Sequence, residues 1–200
     1  MQEALTLEML HRMVKHRYDT DEQRVVGLML ARYDIPLTRD MIDQCYLYWH
    51  KNTGKNFDVY WAGYGEYLSP QDESPFKTVM DFRGNEDRAY FDMDAFIDFK
   101  NECNRIFETR YNDHPWLVLM NYRDGRLHFD ESIRVDLEDN YEGNMAKLRS
   151  VMEEITWLCR SESSVTPIAR YMKFTELKDI IKGISVSDVI GKAISLAGML

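Results

Sequence analysis

The sequence predicts an α/β domain in which helices flank a mixed sheet. Three observations point that way. Short apolar runs alternate with longer stretches of helical periodicity. An Asp124-Gly125 pair between two apolar runs marks a β-hairpin. A chain of 200 residues, 44% hydrophobic and 30% charged, suffices for one core with a helical addition. Its 12 Tyr, 9 Phe and 4 Trp need a packed interior, which argues against a disordered chain.

The elements follow in order. Leu5, Met9, Leu10 and Met13 recur at helical spacing and predict a helix over 5–17. The apolar run 24–31 predicts a buried strand; a helix capped by Thr20, with Gln23 three residues on, is the competing reading. Thr38 can cap a helix to about His50, with Met41, Ile42, Cys45 and Trp49 on one face. Residues 57–64 predict a strand, with Tyr60, Ala62 and Tyr64 on one side and Val59, Trp61 and Gly63 on the other. Burial on both sides accounts for its aromatic content, and a ligand or peptide platform is the alternative. A loop over 65–75 leads to a short strand at 77–82, and Asp92 opens a helix to about Arg110.

Strands at 116–122 and 126–129 flank the Asp-Gly turn. A long helix at 144–160 turns Leu148, Val151, Met152, Ile155 and Leu158 inward. Two more helices are expected near 167–182 and 187–199, with Gly183 between them. The chain divides accordingly into an N-terminal helical segment (1–23), an α/β domain (24–164) and a C-terminal two-helix extension (165–200).

Setting aside the first helix, the strand at 77–82 and the tail leaves the order βαβαββα. Within it, His114-Pro115-Trp116 precedes a strand, and Arg123-Asp124-Gly125-Arg126 turns into the next. On these features, over residues 24–160, the chain resembles the thioredoxin-like fold. The resemblance implies a cis Pro115 and a nucleophilic cysteine between the first core strand and its helix. Residues 33–39 occupy that place and contain no cysteine. Cys45 lies about two turns into the helix, and with Cys103 and Cys159 it forms no CxxC. These thiols read as structural, so a redox role is not expected.

The chain is also similar to thioredoxin-like glutathione transferases, where a Glu-Ser or Gln-Ser pair at a helix start holds the γ-glutamyl group. Pro115 with Glu131 and Ser132 would fill those places. That resemblance implies glutathione binding or transfer as an alternative function, against a plainer reading of Glu131 and Ser132 as a solvated turn.

A net charge of −9 disfavours nucleic-acid binding. Residues 165–200 run the other way, with five basic residues against three acidic ones. No cofactor or metal motif is present; Asp92, Asp94 and Asp98 suit the first turn of a helix. No stretch is long and apolar enough for a membrane span, and the N-terminal residues do not resemble a signal peptide, so a cytoplasmic location is expected. In the tail, Val186, Val189, Ile190, Ala193, Ile194 and Ala197 form an apolar stripe beside small residues that include Gly191. The leading expectation is therefore a non-enzymatic interaction or adaptor module whose C-terminal helices dock on a protein partner or a second copy.

Overall fold

The computed structural model describes residues 1–53, 57–69, 72–80, 89–108, 110–137, 145–175 and 181–185. Six strands form a mixed sheet: β1 (Gln2–Ala4), β2 (Arg24–Leu30), β3 (Asp58–Ala62), β7 (Trp116–Arg123), β8 (Arg126–Asp136) and β9 (Ile181–Ser185), in the order β1-β3-β2-β7-β8-β9. β1, β3 and β2 are parallel; β7, β8 and β9 each run antiparallel to the strand before them in the sheet. A smaller antiparallel sheet has the order β4-β6-β5, from β4 (Tyr64–Gly65), β5 (Lys77–Val79) and β6 (Tyr90–Asp92). The four strands expected at 24–31, 57–63, 116–122 and 126–130 thus lie side by side in one sheet.

Residues 24–30 are strand rather than helix. Val25, Val26, Leu28, Met29 and Leu30 are all buried, so both faces of this run are covered, and its backbone bonds to β3 on one side and β7 on the other. A central strand meets both demands at once.

Five helices are described: α1 (Leu7–Arg17), α2 (Pro36–Asn52), α3 (Met93–Ile106), α4 (Met145–Ser161) and α5 (Val165–Lys173). Local chemistry explains their starts. The side chains of Thr6, Asp92 and Ser164 accept from Met9 N, Ala95 N and Thr166 N. Thr38 does not cap α2 as expected. The helix begins two residues earlier at Pro36, whose fixed φ and missing N–H suit a first turn, and Thr38 is buried inside it.

The helices cover both sides of the sheet. Tyr122 Oη donates to Tyr18 O just after α1, and Trp116 on the same side of β7 meets Tyr111 edge-on at 5.2 Å, after α3. Asn121 faces the other way and accepts from Val165 N at the start of α5, 2.8 Å away.

Four expectations are corrected. Residues 2–4 form an edge strand, too short to show periodicity. Residues 57–64 are not one strand: Gly63 has φ +81 and breaks it, sending β4 into the second sheet. A Cβ at Gly63 would come within 2.8 Å of Phe96 Cβ and 3.0 Å of Asp92 O, so only glycine fits both the dihedral and the space. The break also undoes the alternation, and Tyr64 stacks on Trp61 at 5.2 Å instead of pointing away from it. Residues 181–185, expected to span a helix end and a Gly183 stop, are strand β9. They supply hydrogen-bond partners to the outer edge of β8, a demand that helix periodicity does not register. Finally, β8 continues to Asp136 and takes in Glu131 and Ser132, expected at a turn or helix start.

Candidate functional site

The glutathione-like trio is not assembled. Among the described residues no peptide bond is cis, so His114–Pro115 is trans. Pro115 leads straight into β7 while its carbonyl accepts from Leu137 N at 2.9 Å. Ser132 pairs with Met120, five residues further along β7, roughly 16 Å away at strand spacing. Ser132 is itself buried.

Glu131 is engaged elsewhere. Arg123 Nη1 and Nη2 donate to its two carboxylate oxygens at 2.7 and 2.6 Å, and Asn121 Nδ2 adds a third hydrogen bond. Burial alone would raise the Glu131 carboxyl; the bonds from Arg123 and Asn121 outweigh it and hold the group below its usual range. The cause of this arrangement is an irregularity in β8. Met120 pairs with Ser132 but Asn121 pairs with His128, so residues 129–131 have no partner on β7. Phe129 fills the α1–α3 side of the sheet, with its ring 5.6 Å from His11 and 5.8 Å from Phe107.

The same irregularity gathers His128, Asp130 and Glu131 into a group with metal-ligand atoms, which sequence spacing did not suggest. Arg123 already neutralises the Glu131 carboxylate and sets a positive charge beside the group, so a cation is not favoured there. The cluster instead works as a tie: Glu131 holds Asn121, and Asn121 holds the first residue of α5.

All three cysteines are free and buried. Burial pushes the Cys45 thiol up to about 11 and the Cys103 thiol up to about 12, and raises Cys159 as well. A raised thiol is a poor nucleophile at neutral pH. Iodoacetamide is therefore expected to label none of the three in the folded protein and all of them in denaturant. Rapid native labelling of Cys45, read by mass spectrometry, would contradict this.

Among the described residues five aromatic side chains are exposed: Tyr67 and Phe76 in the loop region between β4 and β5, and three at α4 and α5. Trp157 on α4 is 58% exposed, Tyr171 on α5 is 40% exposed and Phe174, just after α5, is 85% exposed. The Trp157 and Tyr171 rings lie 6.3 Å apart. The other three tryptophans, Trp49, Trp61 and Trp116, are all buried. Trp157 also lines a cleft of about 170 Å³ between α2 and α4, where Tyr48 Oη donates to Glu153. Helix periodicity found the inward face of α4 correctly, with Leu148, Met152, Ile155 and Leu158 buried. A tryptophan on the opposite face was the available signal for a surface role. The stripe of Val186, Val189, Ile190, Gly191, Ala193, Ile194 and Ala197 lies outside the described residues.

Compared with protein-family models, with curated proteins and with solved structures, the chain matches none. Among the described residues, no helix is long and apolar enough to cross a membrane.

Proposed function

We propose that this chain is a protein-interaction module on a thioredoxin-like scaffold without redox chemistry, and that it binds another protein chain through the exposed aromatic face of α4 and α5. The observation that carries the reading is the exposed Trp157–Tyr171 ring pair, with Phe174, also exposed, three residues after Tyr171. Large aromatic side chains left in water are the usual anchors of interfaces, because burying them against a partner releases much apolar area at little entropy cost. The scaffold reading is supported by four core strands in βαβαββα order, adjacent in one sheet. The raised, buried thiols support the absence of redox chemistry.

The partner proposed is a second copy. Glu153 and Arg160 line the cleft beside Trp157, Glu154 accepts from Tyr171, and Arg170 and Lys173 lie on the last turn of α5. A rim carrying both signs is self-complementary, as an interface between two-fold related copies requires.

Sedimentation velocity tests this. The wild type is expected to pass from monomer to dimer with rising concentration. A Trp157→Ala/Phe174→Ser variant should stay monomeric, with an unchanged circular dichroism spectrum, and weaken self-association at least roughly tenfold, as expected for hot-spot aromatics. Because Trp157 is the exposed tryptophan, acrylamide quenching of fluorescence should also fall as the wild type associates. A wild type that remains monomeric, with constant quenching at all concentrations, would remove the second copy as partner.

A further inference from the structure

The outward face of α4 carries its side chains in a definite order. Glu153, Thr156, Trp157 and Arg160 share one stripe of the helix, because residues three and four apart are neighbours on its surface. Leu148, Val151, Met152, Ile155 and Leu158 occupy the opposite side and are buried. The stripe therefore has a carboxylate at one end and a guanidinium at the other. An indole stands at its centre beside a short side chain.

The same four residues line the cleft of about 170 Å³ against α2, with Tyr48 and Asn52 on its other wall. Tyr48 Oη donates to Glu153 Oε1. Burial, and then Glu153, push the Tyr48 hydroxyl up to about 12, so it remains a donor at neutral pH. That bond anchors the carboxylate and uses one of its two oxygens. Glu153 and Arg160 are both exposed, and neither forms an ion pair with a described residue. Seven residues put about 10.5 Å of helix axis between them, well beyond the single turn over which such pairs form.

Opposite charges equidistant from a centre suit two copies of one helix laid antiparallel. The centre falls between Thr156 and Trp157. A two-fold axis there sets Glu153 of one copy opposite Arg160 of the other, twice over. It also sets each Trp157 against Thr156 of the other copy, where the side chain is small enough to admit an indole. The overlap covers residues 152–161 of each copy, up to the end of α4 at Ser161. A parallel arrangement would instead face Glu153 with Glu153 and Arg160 with Arg160.

We propose, resting on the reading that this face self-associates, that the second copy docks with its α4 antiparallel to the first, and that reciprocal Glu153–Arg160 pairs across the two-fold axis fix the direction and register of the interface.

Charge reversal in the whole chain, followed by sedimentation velocity, tests the register. Glu153→Arg turns both reciprocal contacts into arginine pairs, and Arg160→Glu turns both into glutamate pairs. Each variant alone is expected to self-associate at least roughly tenfold more weakly than the wild type, because like charges then face each other. An equimolar mixture of the two should return to within about threefold of wild-type affinity, since the mixed dimer carries two opposite-charge contacts. The double variant Glu153→Arg/Arg160→Glu should recover equally. Recovery in the mixture also shows that both single variants are folded. Single variants that associate as the wild type does would overturn the proposal. So would a loss that neither the mixture nor the double variant restores. If the swaps fail in this way while Trp157→Ala/Phe174→Ser still abolishes association, the aromatic interface stands and the antiparallel register falls. A wild type that is monomeric at all concentrations removes both.

Discussion

Trp61→Ala is expected to lower stability by about 3–5 kcal/mol, the range for deleting a large buried aromatic. Trp61 sits on β3 between Glu3 of β1 and Met29 of β2 and is fully buried. Its indole stacks on Tyr64 at 5.2 Å and lies 5.7 Å from Phe91 and 6.1 Å from Tyr33. It therefore joins the main sheet to the second one, since Tyr64 belongs to β4 and Phe91 to β6. Its Nε1 also donates to Ala31 O at 2.9 Å. Alanine removes the ring contacts, opens a cavity and leaves that carbonyl without its donor. Trp61→Phe keeps part of the ring contact and should cost less, about 1–3 kcal/mol, chiefly for the orphaned carbonyl. Urea unfolding followed by circular dichroism measures both. A loss under about 1 kcal/mol for Trp61→Ala would mean that the site collapses around the smaller side chain and that the two sheets do not depend on it.

Asn121→Leu should come next, at about 2–4 kcal/mol, although the two side chains have nearly the same shape. Asn121 is fully buried and uses both ends of its amide. Its Oδ1 accepts from Val165 N and its Nδ2 donates to Glu131. Leucine leaves a buried N–H at the start of α5 and a partly buried carboxylate short of one donor. Hydrogen exchange should consequently quicken in the first turn of α5 before it does in β2 or β7. The pH dependence has a definite sign. Glu131 is held below its unfolded value, so its stabilisation is present above about pH 4.3 and is lost as pH falls through the folded value. The carboxylate part of the Asn121→Leu penalty should shrink over the same acid range. The wild type and variant curves are therefore expected to run parallel down to about pH 4.3 and to draw together only as pH falls below it. A penalty independent of pH would assign the whole effect to Val165 N.

The elements readable from residues alone were those controlled by near neighbours. Asp92 marks a helix start because its side-chain oxygen can reach an amide three residues on. Asp124 and Gly125 take φ +52 and +71, as an Asp-Gly hairpin turn requires. The run 24–31 is apolar at successive positions because a strand buried on both faces has no polar side. The buried state of the three thiols followed from their places among apolar residues of α2, α3 and α4. The candidate sites were a different matter. Proline, glutamate and serine at suggestive spacing placed Pro115, Glu131 and Ser132 in one reading, yet spacing along a chain does not state where a strand bulges or how far it runs.

Pairing between distant segments settled the rest. β1 and β9 exist because β3 and β8 have edges to satisfy, and neither short segment shows a strand pattern of its own. Gly63 turns the chain into a second sheet because Phe96 and Asp92, some thirty residues later, pack against it. Asp58 becomes a buried acceptor only when Arg17 and Tyr18, about forty residues earlier, arrive beside it. The surface position of Trp157 beside Tyr171 likewise needs α4 and α5 to meet. Caps, turns and apolar runs are energies of adjacent residues and can be read one window at a time. Satisfying a sheet edge, a buried carboxylate or a bulge depends on groups from elsewhere in the chain, and only the folded arrangement says which of them come together.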